Sequence, residues 1–357
     1  MKHGRTLQEL AVEIRRQAGE RRDYLAETNV INMVPDISGA RFVVDGVDGD
    51  FSIAETAHKQ IGQYTDIPWK YYDRMRSNPE LLAHNVNYWL HGMRAQPERR
   101  MIRTLDGSLR AFLSDRYRRI DNMQVAEAVL PIIGRMQEAR VDSCDITDNK
   151  MYLKVVNPRL TAEVSKGDVV QAGIVVSNSE VGLGSVSVSP LIFRLVCTNG
   201  MIAQDSSVRK YHIGRANESD VDLGIFRDET LEADDKALMM KLQDAVAAAV
   251  NQAVFSKIVD QLKDAKHAKI EARTVPKVVE LTSKQVGITQ YEQEGVLGHL
   301  IEGGDLSLYG LGNAVTRYAQ DVKSYDRSTD LEAIGYKIIT LAPTAWNTIL
   351  STANKEV

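Results

Sequence analysis

Few of the residue types that announce chemistry are present. Only two cysteines occur in 357 residues, Cys144 and Cys197, and they form no CxxC pair. Neither a disulfide framework nor a thiolate zinc site is therefore expected. The seven histidines are scattered and no two are four residues apart, the spacing that lets one helix face grip zinc. There is no HExxH, no phosphate-cradling GxxxxGK[ST] and no strand-led GxGxxG. No apolar run approaches the roughly eighteen residues of a membrane span. The first residues, MKHGRTLQELAVEIRRQAGERRDYL, also lack the apolar stretch of a signal peptide. A cytoplasmic, non-membrane protein with no cofactor is the expectation. The net charge of -4 excludes a uniformly basic nucleic-acid coat, though not a local basic groove.

What is there reads as an α+β chain. Residues 1–27 have helical spacing of Leu7, Leu10, Ile14 and Leu25. Two Asp-Gly pairs within 40–53 predict a short hairpin, and Ser52 with Glu55 a cap for a helix to about Gln63. Asp66-Ile67-Pro68 and Asn78-Pro79 start two more helices. Asp106-Gly107, between two alternating arms, is the clearest hairpin signal, and a helix over 123–138 follows. Valine- and isoleucine-rich runs predict three strands near 151–156, 170–178 and 186–197. The glycines of Glu180-Val181-Gly182-Leu183-Gly184 suit a turn between the second and third strands, and Gly200 a positive φ. A long alanine-rich helix is expected over 233–262. Thr282 is expected to cap a short helix beyond it, with two more helices at the C-terminus. The division this suggests is 1–92, a helical region with a small hairpin; 93–262, the α+β core; and 263–357, a helical tail.

The candidate functional residues are arginines. Between Met93 and Arg119 stand Arg94, Arg99, Arg100, Arg103, Arg110, Arg116, Arg118 and Arg119. Only Glu98, Asp106 and Asp115 oppose them, so the local net charge is +5. Guanidinium forks grip phosphates bidentately, and Tyr117 among them offers a surface for base stacking. The same pattern also suits a hairpin whose arginines face solvent or pair with acidic helices. Arg194, in the third strand run, joins the set, facing the opposite side from Cys197 if the strand is regular. Cys197 itself reads as a small buried hydrophobe. Asp168 and Glu180, placed on neighbouring strands, are the candidate carboxylates for a metal-dependent phosphate-ester enzyme, although no ExK partner follows them. The aromatics Tyr64, Trp69, Tyr71, Tyr72, Tyr88 and Trp89 are read mostly as core.

Four segments carry a family resemblance: RTLDGSLRAFLSDRYRRIDN at 103–122, GIVVSNSEVGLGSVSV at 173–188, FRLVCTNGMI at 193–202 and YGLGNAVTRYAQD at 309–321. In this order they resemble the phage- and plasmid-like proteins grouped as domain of unknown function 932, which implies a mobile-element origin. Three strands followed by a long helix also resemble the β-β-β-α core of single-strand annealing proteins of the Red beta/RecT type. That likeness implies a curved antiparallel sheet backed by the long helix, and a homo-oligomer holding single-stranded DNA in a basic groove. The function expected is thus non-catalytic DNA binding in recombination or replication. A metal-dependent nuclease using Asp168 and Glu180, or a phage interaction protein that counters a host defence, are the alternatives.

Overall fold

The computed structural model describes residues 1–92, 96–203, 211–213 and 228–356. Thr6 opens the first helix, α1 (Leu7–Glu20), through a capping box with Glu9. The helix does not reach residue 27. Arg21 is extended at φ -64°, ψ 138°, and Arg22–Glu27 instead forms β1, an edge strand held by backbone pairing to Arg99–Thr104. The first hairpin lies earlier than expected, as β2 (Ile31–Asp36) against β3 (Gly39–Val44), with Phe51 bonded back onto Phe42. Ser52 belongs to a two-residue strand, β4 (Ser52–Ile53), so Ala54 rather than Ser52 precedes helix α2 (Glu55–Tyr64). Helices α3 (Trp69–Met75) and α4 (Pro79–Gly92) begin at the two prolines, as their fixed φ favours.

The strands β5 (Arg99–Leu105) and β6 (Ser108–Ser114) form the expected hairpin, and Asp106 and Gly107 take the two positive φ values of 52° and 71°. This hairpin completes a four-stranded sheet of order β1-β5-β6-β4. Its core, with Ile102 and Phe112 against Ile61, Tyr72 and Val86, is shared with the short helices. The basic hairpin thus packs with the N-terminal region, and a division between residues 92 and 93 would cut through one sheet.

After α5 (Asn122–Arg135) come β7 (Arg140–Ile146), β8 (Met151–Ser165), β9 (Asp168–Asn178), β10 (Val186–Arg194), β11 (Asn199–Ile202) and β12 (Tyr211–Ile213). They pair antiparallel in the order β11-β10-β9-β8-β7, with β12 also against β10, as a curled half-barrel. The three expected strands are β8, β9 and β10, adjacent in one sheet. The third is shorter than its valine-rich run, because the chain turns at Leu195–Thr198. Thr198, not Gly200, takes the positive φ of that turn, at 50°.

The expected long helix is two: α6 (Asp228–Ala249) and α7 (Gln252–His267). Asn251 leaves the helical region and its side chain caps α7 through the Ala253 amide at 2.8 Å. The break lets the two halves serve different cores. Leu242, Ala245 and Val246 pack with α1 and α5 onto Leu153, Val155, Ile174 and Val176. Phe255, Ile258 and Leu262 of α7 join Val170, Ala172 and Ile192 at the other end of the same strands, in the core of the C-terminal helices. Those are α8 (Val275–Val286), α9 (Gln290–Gly303), α10 (Leu308–Tyr318), α11 (Tyr325–Ile339) and α12 (Pro343–Glu356). Thr282 lies inside α8 and caps nothing. Opposite-facing residues such as Val156, Val175 and Phe193 form a smaller core with Ala333 of α11. Among the described residues no helix is long and apolar enough to cross a membrane.

Candidate nucleic-acid interface

The alternation of β5 puts Arg99, Met101 and Arg103 on one face, as a row of phosphate-binding side chains would require. That face is not open at Arg103. The turn that follows β9 closes over it, and Met101, Ala111 and Leu113 pack against Val181 and Tyr117. Gly182 and Gly184, with φ of 79° and 131°, give that turn the backbone that an L side chain would resist.

Arg103 is only 2 % exposed. Its Nε donates to Asp23 at 2.9 Å, one Nη to Asp121 at 2.7 Å, and the other Nη to the Glu180 carbonyl at 2.8 Å. Burial opposes its charge, but the hydrogen bonds to Asp23 and Asp121 outweigh that and raise its pKa further. Arg21 reaches Asp121 at 2.7 Å and Glu180 at 3.4 Å, and Arg110 reaches Glu180 at 3.1 Å. The Glu180 carboxylate also accepts from the Asn122 amide at 2.7 Å. Arg119 comes within 3.8 Å of Asp23 and stays 56 % exposed. Four guanidiniums and three carboxylates thus share one junction between the two sheets.

Tyr117 is committed here as well. Its hydroxyl donates to the Ser179 carbonyl at 3.0 Å, and burial pushes its pKa up, so the ring is no free stacking platform. Asn178 donates to the Ile120 carbonyl and to Asn122, both at 2.9 Å. Ser179 accepts from the Leu183 amide, a turn-forming role.

The remaining arginines divide. The Arg100 guanidinium lies 4.5 Å from the Tyr64 ring and 4.9 Å from Phe112, a cation–π stack. Arg118 is held by Asp234 and Asp235 of α6. Arg99, Arg116 and Arg119 are exposed. Arg94 lies outside the described residues. Exposed aromatic surface comes from other positions, Tyr71, Tyr88 and Trp89, whereas Tyr72 is fully buried.

Arg194 belongs to a second, separate cluster. It grips Asp168 at 2.6 and 2.9 Å, and Tyr309 of α10 donates to the same carboxylate at 2.9 Å. The strand ends at Arg194, so the turn swings Cys197 back to it, Sγ at 3.4 Å, instead of onto the opposite side. Cys197 is half-buried, and its neighbours Leu195 and Val196 are exposed. Asp168 opens β9 and Glu180 follows its end. The two are not on neighbouring strands but on the order of 30–40 Å apart along one. Each is neutralised by arginine, and among the described residues no three His, Cys, Asp or Glu side chains come together as metal ligands.

Sequence reasoning missed Arg21, Asp23 and Asp121 as members of the junction. The available signal was that RTLDGSLRAFLSDRYRRIDN and NSEVG belong to one set of family segments, and they meet here. The model of a family described as Domain of unknown function (DUF932) matches residues 111–338. No curated protein and no solved structure matches the chain.

Proposed function

We propose that the chain, which belongs to the DUF932 family through residues 111–338, is a non-catalytic DNA-binding protein of mobile-element recombination or replication. It holds single-stranded DNA along the outer rim of the β5–β6 hairpin and works as a homo-oligomer. One observation carries the reading. At the junction between the sheets guanidiniums outnumber carboxylates by four to three, and the surplus emerges at Arg119, the most exposed member. Arg99 and Arg116 extend that rim, and guanidinium forks at a surface suit phosphate oxygens. Arg103, Arg110 and Arg194 serve the fold and leave the DNA-facing set, as does Tyr117. The likeness to annealing proteins rests on β8, β9 and β10 being adjacent with α6 packed on their sheet, although β11 and β12 intervene between β10 and α6 in the chain.

Phosphate contacts release counterions, so affinity must fall with salt. The test is fluorescence anisotropy with labelled single- and double-stranded oligonucleotides over about 50 to 200 mM salt. Tighter, salt-sensitive binding of the single strand is expected, with no release of nucleotides in magnesium or manganese. Absence of salt-dependent binding to either form overturns the proposal. Capture of an acidic protein with the same salt dependence and no DNA binding would favour the interaction-protein alternative.

A further inference from the structure

Helices α1 and α5 lie against the same face of the half-barrel and touch, but not along their whole length. A cavity of about 330 Å³ remains between them, floored by Met151 and Leu153 and walled by Ile14 and Leu130. Small side chains make the gap, Ala11 on one helix and Ala126 on the other. Pro131 interrupts α5 at the same place. Lacking an N–H, it leaves the Glu127 carbonyl without its usual helical donor. Two charged side chains also line the space, Arg15 and Glu127. Both are exposed, and neither forms an ion pair among the described residues.

We propose that this cavity binds one uncharged amphiphile, an apolar chain of about eleven non-hydrogen atoms ending in a hydroxyl or primary amide. The size follows from volume, at about 30 Å³ per water-sized group in a liquid. The cavity is at the small end of ligand sites, which start near 300 Å³. Apolar walls of this kind hold water poorly, so the space favours an apolar occupant. The end group follows from the two charges. A carboxylate is attracted by Arg15 but repelled by Glu127, and an ammonium the reverse, so a full charge gains no net partner there and still gives up its hydration. A hydroxyl or amide donates to Glu127 and accepts from Arg15 at once.

The experiment is calorimetric titration of the full chain with 1-decanol, decanoate and decylammonium below their aggregation concentrations. Decanol should bind saturably at one site and raise Tm, with the two charged chains at least tenfold weaker. Ala126→Leu, which fills the cavity, should abolish decanol binding. Ala11→Leu stands in for it if the first variant fails to fold. Arg15→Ala should weaken decanoate relative to decylammonium, and Glu127→Ala should do the reverse, while decanol stays bound to both. No saturable decanol binding to the wild type, equal binding of all three to it, or undiminished binding to the filled variant overturns the proposal.

Discussion

At the scale of single residues, the same side chain type does opposite work depending on what closes over it. Arg99 and Arg103 share a strand face, yet one is exposed and the other 2 % exposed. The alternating pattern of the hairpin was legible in the sequence. The cover was not, because it comes from Ser179–Val181, a turn 77 residues on at Glu180 that no local period reports. Removing Arg103 would leave the half-buried Asp23 with only the more distant Arg119, Asp121 with Arg21 alone, and the Glu180 carbonyl without its donor, a change that costs about 3 kcal/mol. Arg103→Ala should therefore lose cooperative urea unfolding or shift its midpoint far down, and Arg119→Ala should stay within about 0.5 kcal/mol of wild type. Equal stability of the two variants would show that the junction is not what holds the sheets. His58 supplies a pH test at the same scale. It is buried against the Tyr72 hydroxyl, Nδ1 at 3.0 Å, and burial, helped by Arg76, holds its pKa down at about 4 against an ordinary 6.5. Between those values the unfolded chain takes up a proton that the folded chain refuses. Stability thus falls as pH drops through 6.5 to 4, by on the order of 3 kcal/mol in all. Urea unfolding at pH 7, 5.5 and 4 should show this decline, and His58→Gln should flatten it. Glu292, held at about 2 by Arg327, loses its contribution only below 4.5, in a lower window. Parallel curves for wild type and His58→Gln would place the titration elsewhere.

At the scale of elements, what was legible had a strong local period. The strands β8, β9 and β10 were found because valine and isoleucine fill them, and sequential strands commonly pair. The helices α3 and α4 were found because proline fixes their first turn. The ends were harder. Arg21–Glu27 carries helix-compatible residues, and only the partner strand β5 decides that it is extended. The run from 233 to 262 looks unbroken because alanine favours helix on both sides of Asn251, and the deciding event is one side chain turning to cap. Asn251→Ala removes that acceptor from the Ala253 amide and should lower stability by about 1 kcal/mol, read from the urea midpoint. A gain in stability, with α6 and α7 fusing into one helix by increased ellipticity, would mean that the break is not imposed by the cap. The alanine-rich stretch is also spent within the chain. Ala245 and Val246 are buried in the core shared with α5, leaving Ala247 and Ala248 outside.

At the scale of the whole molecule, a net charge of -4 means that any hold on DNA depends on where the positive charge is left uncompensated. The exposed acids matter as much as the arginines. Asp234 and Asp235, 56 % and 55 % exposed on their side chains, hold Arg118 at the rim where Arg116 and Arg119 also emerge. They occupy Arg118 with the same kind of oxygens that a phosphate would offer, so under the proposed function they would compete with nucleic acid for it. Each phosphate neutralised on a single strand steepens the log–log dependence of affinity on salt by about 0.7. Asp234→Asn/Asp235→Asn should therefore tighten single-strand binding and steepen that slope by about 0.7, because the freed Arg118 neutralises one more phosphate. Replacing Arg99, Arg116 and Arg119 with alanine leaves three phosphates without a guanidinium. The slope should then flatten by about two units, without Tm falling by more than a few degrees. Both should be measured with light scattering alongside, because a homo-oligomer built on the 39.8 kDa chain multiplies the phosphates held per particle. That raises the total slope, not the increment per chain. A monomer with and without DNA would remove the oligomer from the proposal. An unchanged slope in both charge variants would remove the rim, because neither adding nor deleting positive charge there would then touch the bound strand.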